Sequence, residues 1–336
     1  MKNIKLEKLS GNTNEWEQFL SQIDNSTLFN SSLWGKIINQ IFNISNEVII
    51  FHNNGIILAG AIIYYKKRYF IKTITKPPLT LYNGLLFNLP ENQKNQKNIE
   101  IKHEISNNFI NYLSKEYKFI NFTTTIDFFD TRPFLWNKWI VLPQYTYILN
   151  LEDEKNIWNG FSSSLRRKIN NCLSYSPVIS KNDNVEKLID LHFESYSRNK
   201  IKPILDYDTF TNFVKLALEN NICDIYSISI DNEIHSMRAL LKWKDIIYDW
   251  IAGTETKYRN YNSTHFLLWE LLKKYSNDNK RLFDFMGANT KSISDFKRLF
   301  GGELKEYYDL KYYSSNLFKS VEKISNFIKI RSRLKG

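Results

Sequence analysis

Two segments of the chain share one strand–turn–strand pattern, and this repetition limits the possible folds more than any other feature of the sequence. Residues 50–70 align without a gap with residues 228–248, so that Gly55 falls on Glu233. Each copy shows a strand, a short turn, a long strand, a charged turn and a further strand. The pattern predicts a duplicated β-meander, with two unrelated meanders as the alternative.

Helical patterns precede and follow each meander. They cover residues 16–23, 31–41, 101–117, 185–198, 208–218, 264–275 and 293–300. Helices around mixed strands predict an α/β fold of two tandem units, each a mixed β-sheet flanked by helices. A chain of 336 residues is long enough for two such cores. We place the units at residues 1–150 and 151–314.

Composition excludes several classes of protein. Apolar residues make up 43% of the chain, which is too much for a disordered protein. Cys172 and Cys223 are the only cysteines and the five histidines are scattered, so neither a disulfide framework nor a metal site is expected. The polar N-terminus does not resemble a signal peptide, and the longest apolar run is too short to span a bilayer. These features predict a cytoplasmic protein.

The net charge of +11 favours anionic partners such as nucleic acid, nucleotide-linked substrates or anionic lipid. Lysines scattered over a solvated surface are the alternative explanation. Arg166, Arg167 and Lys168 form a basic cluster, but neighbouring residues of a helix point to different faces. Arg166 is therefore a candidate phosphate contact, with a solvated basic helix as the alternative.

Several motifs resemble the Fem family (FemABX) of peptidyltransferases and the related FemAB-like acyltransferases of the GNAT fold. The most specific is LFDFMGANTKSISDFKRLFGGELKEYY, which resembles the family's YDFGG strand, variable loop, FK..FG helix and tyrosine-bearing strand. The segments FNSSLWGKI, LRRKINNCL, AGTETKYRNYNSTHFLLWELL and KPPLTLYNGLLF resemble weaker family motifs. The resemblance covers nearly the whole chain and implies two tandem GNAT-like units.

The resemblance also implies a reaction and its residues. Fem proteins form an amide on an amino group of a cell-wall precursor, and the Lys of their Phe-Lys pair stabilises the developing oxyanion. The matching residues here are Phe296 and Lys297, and Asp284 could orient a neighbour or the acceptor amine. For Phe296 and Lys297 the alternative is a core phenylalanine beside a solvated lysine, and for Asp284 a capped turn.

Acceptor-binding residues are carried over in the same way. Lys36 matches a lysine of the first helix, Lys202 matches a phosphate-binding arginine, and Tyr207 and Tyr261 match family tyrosines. Lysine lacks the bidentate fork of arginine, so Lys202 points to a different acceptor. For Tyr261, ordinary packing at a helix entry is the alternative.

The donor is indicated by a missing motif. GNAT enzymes that use acetyl-CoA hold its pyrophosphate in a Gly-rich loop at a helix N-terminus. Neither GTETKYRNYNST nor ITKPPLTLYNG has that glycine spacing. The absence favours aminoacyl-tRNA, which is the donor that the resemblance implies, or an acyl thioester held differently, and no bound cofactor is expected.

Two alternatives to an aminoacyltransferase remain open on the sequence. One is an N-acyltransferase of polysaccharide biosynthesis that uses acyl-CoA or an acyl carrier; the other is a non-enzymatic RNA-binding protein. We expect a monomer with an anionic sugar-nucleotide or envelope-precursor acceptor, with tRNA and a peripheral membrane contact as further partners. The tail at residues 315–336 is basic and has apolar residues at helical spacing. The resemblance implies that this tail packs on the first unit.

Overall fold

A computed structural model describes residues 4–9, 14–90, 94–128, 130–151, 153–278, 280–316 and 318–320. The chain divides into two compact units: the first ends at Gln144 and takes in the segment that begins at Glu306, and the second is Tyr145–Lys305. Most of the 315–336 tail, with its predicted helix, lies outside the described residues. Within the described residues, no helix is long and apolar enough to cross a membrane.

The first unit contains six strands in the order β1, β2, β3, β4, β6 and β13, with the short β5 paired to β3. All pairs are antiparallel except β4 with β6. The strands are β1 (Lys5–Leu9), β2 (Ser45–Asn53), β3 (Ile56–Arg68), β4 (Ile71–Ile74), β5 (Leu86–Phe87), β6 (Phe119–Thr123) and β13 (Glu303–Tyr313). Its helices are α1 (Asn14–Gln22), α2 (Ser32–Phe42), α3 (Asn95–Glu116) and α4 (Arg132–Trp136).

The second unit repeats this order with β8, β9, β10, β11, β12 and β7, and here β11 and β12 form the parallel pair. The strands are β7 (Ile140–Asn150), β8 (Val178–Lys181), β9 (Cys223–Ile230), β10 (Glu233–Trp243), β11 (Ile246–Thr254) and β12 (Leu282–Asp284). The helices are α5 (Glu154–Gly160), α6 (Ser163–Leu173), α7 (Val185–Arg198), α8 (Tyr207–Glu219), α9 (Ser263–Asn277) and α10 (Lys291–Lys297). The predicted α/β fold, with mixed strands flanked by helices, is confirmed.

Each meander contains a β-bulge, and the two bulges show which residues of the meanders correspond. Leu58 is an extra residue in β3 opposite β2, and His235 is an extra residue in β10 opposite β9. These two β-bulges are 177 positions apart, and so are the starts of β3 and β10. The ungapped alignment, with its spacing of 178, was therefore wrong by one residue: Gly55 lies in a turn, whereas Glu233 already begins a strand.

Most predicted helices form where the apolar spacing placed them. The segment IWNGFSSSLRRKINNCL (157–173), which the sequence predicts as one helix with a capping serine cluster, instead belongs to two helices, α5 and α6. The break comes at Phe161 and Ser162, where the Ser162 hydroxyl accepts a hydrogen bond from Leu165 N at 3.1 Å and so caps α6. Strands β1, β7 and β8 were not predicted. β7 contains Pro143, a residue that normally argues against a strand.

Each unit has its own apolar core. Helix α3 packs Ile105, Phe109 and Leu113 on the first sheet, and all three are fully buried. In the second unit α9 contributes Leu267, Leu268 and other apolar residues to a core that surrounds β10, β11 and β12. Helix α9 is therefore held against the strands of the second unit by apolar packing.

Candidate functional site

The buried ammonium of Lys297 is the central feature of the second unit. Only 9% of this residue is exposed, at the end of α10. Its Nζ donates hydrogen bonds to the carbonyl oxygens of Phe285, of Met286 at 3.3 Å and of Gly287 at 2.7 Å. An ammonium has three N–H groups and a neutral amine has two, so three acceptors match the charged form.

The loop that receives Lys297 is shaped by its backbone and by Asp284. Met286 and Gly287 have φ values of 55° and 84°, an unusual pair that directs successive carbonyls toward the lysine. Asp284 is buried at the end of β12 and accepts hydrogen bonds from Thr146 Oγ1 at 2.7 Å and from Met286 N at 2.8 Å. The Thr146 hydroxyl in turn accepts from Gly287 N at 3.0 Å. Asp284 therefore binds backbone N–H groups of the loop, directly at Met286 and through Thr146 at Gly287. Lys297 binds the backbone carbonyls of the same loop.

A buried ion pair lies on the neighbouring strands. Arg238 on β10 and Asp249 on β11 are 3% and 8% exposed, and an Nη1 of Arg238 donates to Asp249 Oδ1. The other terminal nitrogen donates to Thr264 Oγ1 at 3.2 Å, which links the pair to the first turn of α9. A buried pair of this kind is strongly destabilised when one partner is removed.

These charges act on one another. Burial lowers the pKa of Lys297, the positive charge of Arg238 acts in the same direction, and the carboxylates of Asp249 and Asp284 oppose both effects. Two cations and two carboxylates thus form one electrostatic cluster inside the second unit. The two carboxylates and the three carbonyls together favour the charged lysine.

His265 adds a neutral imidazole beside this cluster. Burial, followed by the positive charges of Lys168 and Arg238, lowers the pKa of His265 to about 4. Its ring centroid is 5.1 Å from that of Phe296, which is half-buried against the core. At neutral pH this side chain is therefore uncharged.

The segment that opens α9 is filled by aromatic side chains. A 3-10 helix at Thr256–Tyr261 occupies the position of the Gly-rich loop of GNAT enzymes that use acetyl-CoA. The Tyr258 ring stacks on His235 at 3.7 Å between ring centroids. His235 is buried, and its Nδ1 is 3.0 Å from the Ser263 hydroxyl at the start of α9. Tyr261 packs edge-on against His235 at 4.8 Å. The segment before α9 therefore packs as a group of aromatic rings beside Ser263 and contains no Gly-rich loop.

The structure brings together some of the predicted site residues. Phe296, Lys297 and Asp284 meet around the 285–287 loop. Tyr261 belongs to the aromatic group before α9, where it also contacts the ring of Tyr175.

The other predicted site residues belong to other elements of the fold. Arg166 is half-exposed on α6, and Lys202 is exposed between α7 and α8. Tyr207 begins α8 and donates to Asp190 Oδ1 at 2.8 Å. Lys36 is exposed on α2 of the first unit. The binding roles of all these residues stay predictions.

Several residues of the cluster were missed from the sequence: Thr146, Arg238, Asp249, Thr264 and His265. A signal was present for two of them. Arg238 and Asp249 are charged residues inside otherwise apolar strand patterns, MRALL and YDWIA, and such charges are buried only when paired. Among the described residues there is no group of three or more His, Cys, Asp or Glu that could hold a metal ion.

Comparisons with known proteins agree with this geometry. Residues 160–298 match the family model described as acetyltransferase (GNAT) domain. That range contains α6 to α10 and so includes Arg238, Asp249, His265 and Lys297. A comparison with curated protein sequences finds no match to the chain.

Three solved structures are similar over most of their length. FemX superposes with a TM-score of 0.68 at 12% identity, covering 90% of this chain and 96% of FemX. L-PGS from Bacillus licheniformis gives 0.53 at 12% identity, covering 90% and 92%. A tandem GNAT protein from the clavulanic acid biosynthesis pathway gives 0.50 at 8% identity, covering 93% and 99%. At these identities the likeness shows the fold, which is that of tandem GNAT proteins including FemX.

The domain match and the fold together answer the question that the sequence left open between an enzyme and a non-enzymatic RNA-binding protein. The second unit carries a GNAT acetyltransferase domain with a buried, charged cluster at its centre. The protein is an acyltransferase of the GNAT type with a Fem-like fold.

Proposed function

We propose that the protein transfers an aminoacyl group from aminoacyl-tRNA to an amino group of an anionic cell-envelope precursor in the cytoplasm. The observation that carries this proposal is the group of aromatic side chains before α9. A His235–Tyr258 stack, with His235 3.0 Å from the Ser263 hydroxyl at the start of α9, is found where GNAT enzymes that use acetyl-CoA have a Gly-rich pyrophosphate loop. The likeness to FemX supports the same donor class.

The reaction needs a cation where negative charge develops. The acceptor amine attacks the ester carbonyl, an oxyanion forms, and the 3′-hydroxyl of the tRNA leaves with the amine's proton. Lys297 is our candidate for stabilising that oxyanion. Its longest hydrogen bond, to Met286 O at 3.3 Å, is the one that a substrate oxygen would most easily replace.

Asp284 acts in this scheme as a positioning residue. Its side chain is buried and accepts hydrogen bonds from the Met286 amide of the loop and from the Thr146 hydroxyl that supports the loop. It would therefore hold the carbonyls that orient Lys297 rather than touch the substrate.

The proposal is tested by a transfer assay with the purified protein. Transfer RNA charged with radiolabelled amino acids is mixed with amine-bearing envelope precursors, and the products are separated and identified by mass. A labelled amide with one amino acid added supports the proposal. Absence of transfer from any charged tRNA, together with acyl transfer from a thioester, would refute it.

The alternative donor is acyl-CoA or an acyl carrier. It keeps the GNAT chemistry and changes only the leaving group, so the family model is compatible with it. We expect acetyl-CoA to bind weakly because the rings before α9 stand in place of the phosphate-binding glycines. Calorimetry that shows micromolar or tighter binding of acetyl-CoA would favour the alternative.

A further inference from the structure

The hairpin between β3 and β4 of the first unit carries the most exposed apolar side chains of the described chain. Phe70 is 93% exposed, Tyr69 is 76% exposed and Ile71 is 38% exposed. The turn consists of Tyr69 and Phe70, with Arg68 paired to Ile71 below it. Apolar side chains at the tip of a hairpin do not contribute to the core. Such an exposed apolar patch is typical of a site that binds a membrane or another protein.

The same hairpin is strongly basic. The sequence from residue 64 to residue 75 is YYKKRYFIKTIT, with four cations and no acidic residue. Lys66, Lys67 and Arg68 are exposed, and Lys72 lies within 6 Å of the Tyr65 and Tyr117 rings. Aromatic tips flanked by cations complement a bilayer whose surface is anionic and whose interior is apolar.

Two backbone hydrogen bonds place neighbouring strand ends of the first unit beside the hairpin. Lys118 N donates to Lys72 O at 3.0 Å, and Ser314 N donates to Lys118 O at 3.0 Å. The exposed Lys118 at the start of β6 and the end of β13 therefore lie next to the hairpin. Glu47 on β2 is already engaged, by Lys8 and by the hydroxyls of Tyr112 and Tyr117.

A cavity of about 320 Å³ opens at the same end of the sheet. Three of its lining residues are lysines, Lys138, Lys311 and Lys319, and none is acidic. Hydroxyl and amide groups of Ser315 and Asn316 complete the polar lining. Three cations with neutral donors fit a phosphate-bearing headgroup.

We propose that this end of the first unit docks on a bilayer containing anionic phospholipid. The Tyr69–Phe70 tip enters the interface, and the surrounding lysines and Arg68 lie at headgroup level. Since no described helix can cross a membrane, the contact is peripheral and reversible. The proposal does not depend on the donor or acceptor of the transfer reaction.

Vesicle binding of the full-length protein tests the surface. We expect sedimentation with vesicles of equal parts phosphatidylcholine and phosphatidylglycerol, and little binding to phosphatidylcholine alone. Each neutralised cation should weaken binding roughly fivefold, so Lys66→Gln, Lys67→Gln and Arg68→Gln together should weaken it about a hundredfold. Replacing both Tyr69 and Phe70 by Ser should weaken it by at least about tenfold.

The matched control is Ile56→Ser, since Ile56 is 66% exposed at the end of β3 opposite to the hairpin. This control should bind vesicles like the wild type, and unchanged melting temperatures would show that all variants fold. The proposal is wrong if the wild type does not bind anionic vesicles, or if the control loses as much binding as the hairpin variant.

A second measurement locates the tip and separates lipid from RNA. Cys172 and Cys223 are both buried, so a Phe70→Cys variant can be labelled with an environment-sensitive fluorophore at the tip. The emission should shift to the blue on adding anionic vesicles, whereas a label on Ile56→Cys, at the opposite end of β3, should not respond. A label at residue 70 that stays in water on vesicles, or that responds to tRNA and not to lipid, would overturn the proposal.

Discussion

Unit 1 and unit 2 repeat one chain path but differ at every position of the charged cluster. Two pairs of corresponding strands begin 163 positions apart in the chain. Strands β6 and β12 begin at Phe119 and Leu282, and strands β7 and β13 begin at Ile140 and Glu303. Lys138 and Gly301, also separated by 163, both have positive φ, at 63° and 74°. The backbone therefore confirms the register.

In this register unit 1 lacks the candidate site. Asn121 stands where unit 2 has Asp284, and the fully buried Phe134 stands where unit 2 has Lys297. With the spacing of 177 set by the two β-bulges, Ala61 stands where unit 2 has Arg238. Unit 1 keeps the fold with uncharged residues at these positions, so the charges of unit 2 are not needed for folding and point to function.

The largest effect is expected from breaking the ion pair that unit 1 lacks. Asp249→Ala would leave the Arg238 guanidinium buried without its carboxylate, which typically costs about 3–5 kcal/mol. Chemical denaturation should show a loss of that size. The double variant Arg238→Met, Asp249→Leu should recover most of it, because both charges are then gone. A loss below about 1 kcal/mol for Asp249→Ala would show that water reaches the pair.

Lys297 gives the next largest effect. Lys297→Met keeps the length of the side chain but removes the cation, and we expect turnover to fall about a hundredfold, or roughly 3 kcal/mol in the transition state. The three carbonyls lose their donor, so the melting temperature should also fall and rates must be measured per folded enzyme. Lys297→Arg should rescue poorly, since a planar guanidinium places its donors differently.

The matched control is Phe134→Leu, the same position in unit 1. It should lower stability slightly and leave turnover per folded enzyme unchanged. If Lys297→Met instead raises KM while kcat holds, Lys297 binds the acceptor and does not stabilise the oxyanion.

More of the fold than of the candidate site could be predicted from the sequence. The meander turns and the helices at 185–198 and 264–275 follow from local patterns, and the structure has α7 and α9 at those places. The Lys297–carbonyl contacts do not follow from local patterns, because they depend on positive φ at Met286, a residue that rarely adopts it. Nor does the Arg238–Asp249 pair, since strand register decides which charges meet.

A smaller effect is expected from pH, through His265 in unit 2. Its pKa is about 4 in the folded protein and near 6.5 when unfolded, so the unfolded state binds the proton more tightly. Stability is then fully present above about pH 6.5 and falls as pH decreases toward 4. Between pH 7 and pH 5 this residue should contribute a loss of about 2 kcal/mol. Denaturation of His265→Leu at both pH values should show a loss smaller by that amount; an equal loss would contradict the buried neutral imidazole.

The smallest effect is expected from making unit 2 resemble unit 1 at Asp284. Asp284→Asn installs the residue that unit 1 has at Asn121 and keeps the size of the side chain. The amide oxygen can still accept from Thr146 Oγ1 or Met286 N, but without the charge that strengthens both bonds. We expect a loss of about 1 kcal/mol in stability.

Because Asp284 positions the loop and Lys297 performs the proposed chemistry, kcat for Asp284→Asn should fall by less than for Lys297→Met while KM stays constant. The two variants combined should fall little further than Lys297→Met alone, since a loop without its lysine has nothing left to position. Fully additive losses would mean that Asp284 acts on the substrate directly, and it would then count as a catalytic residue.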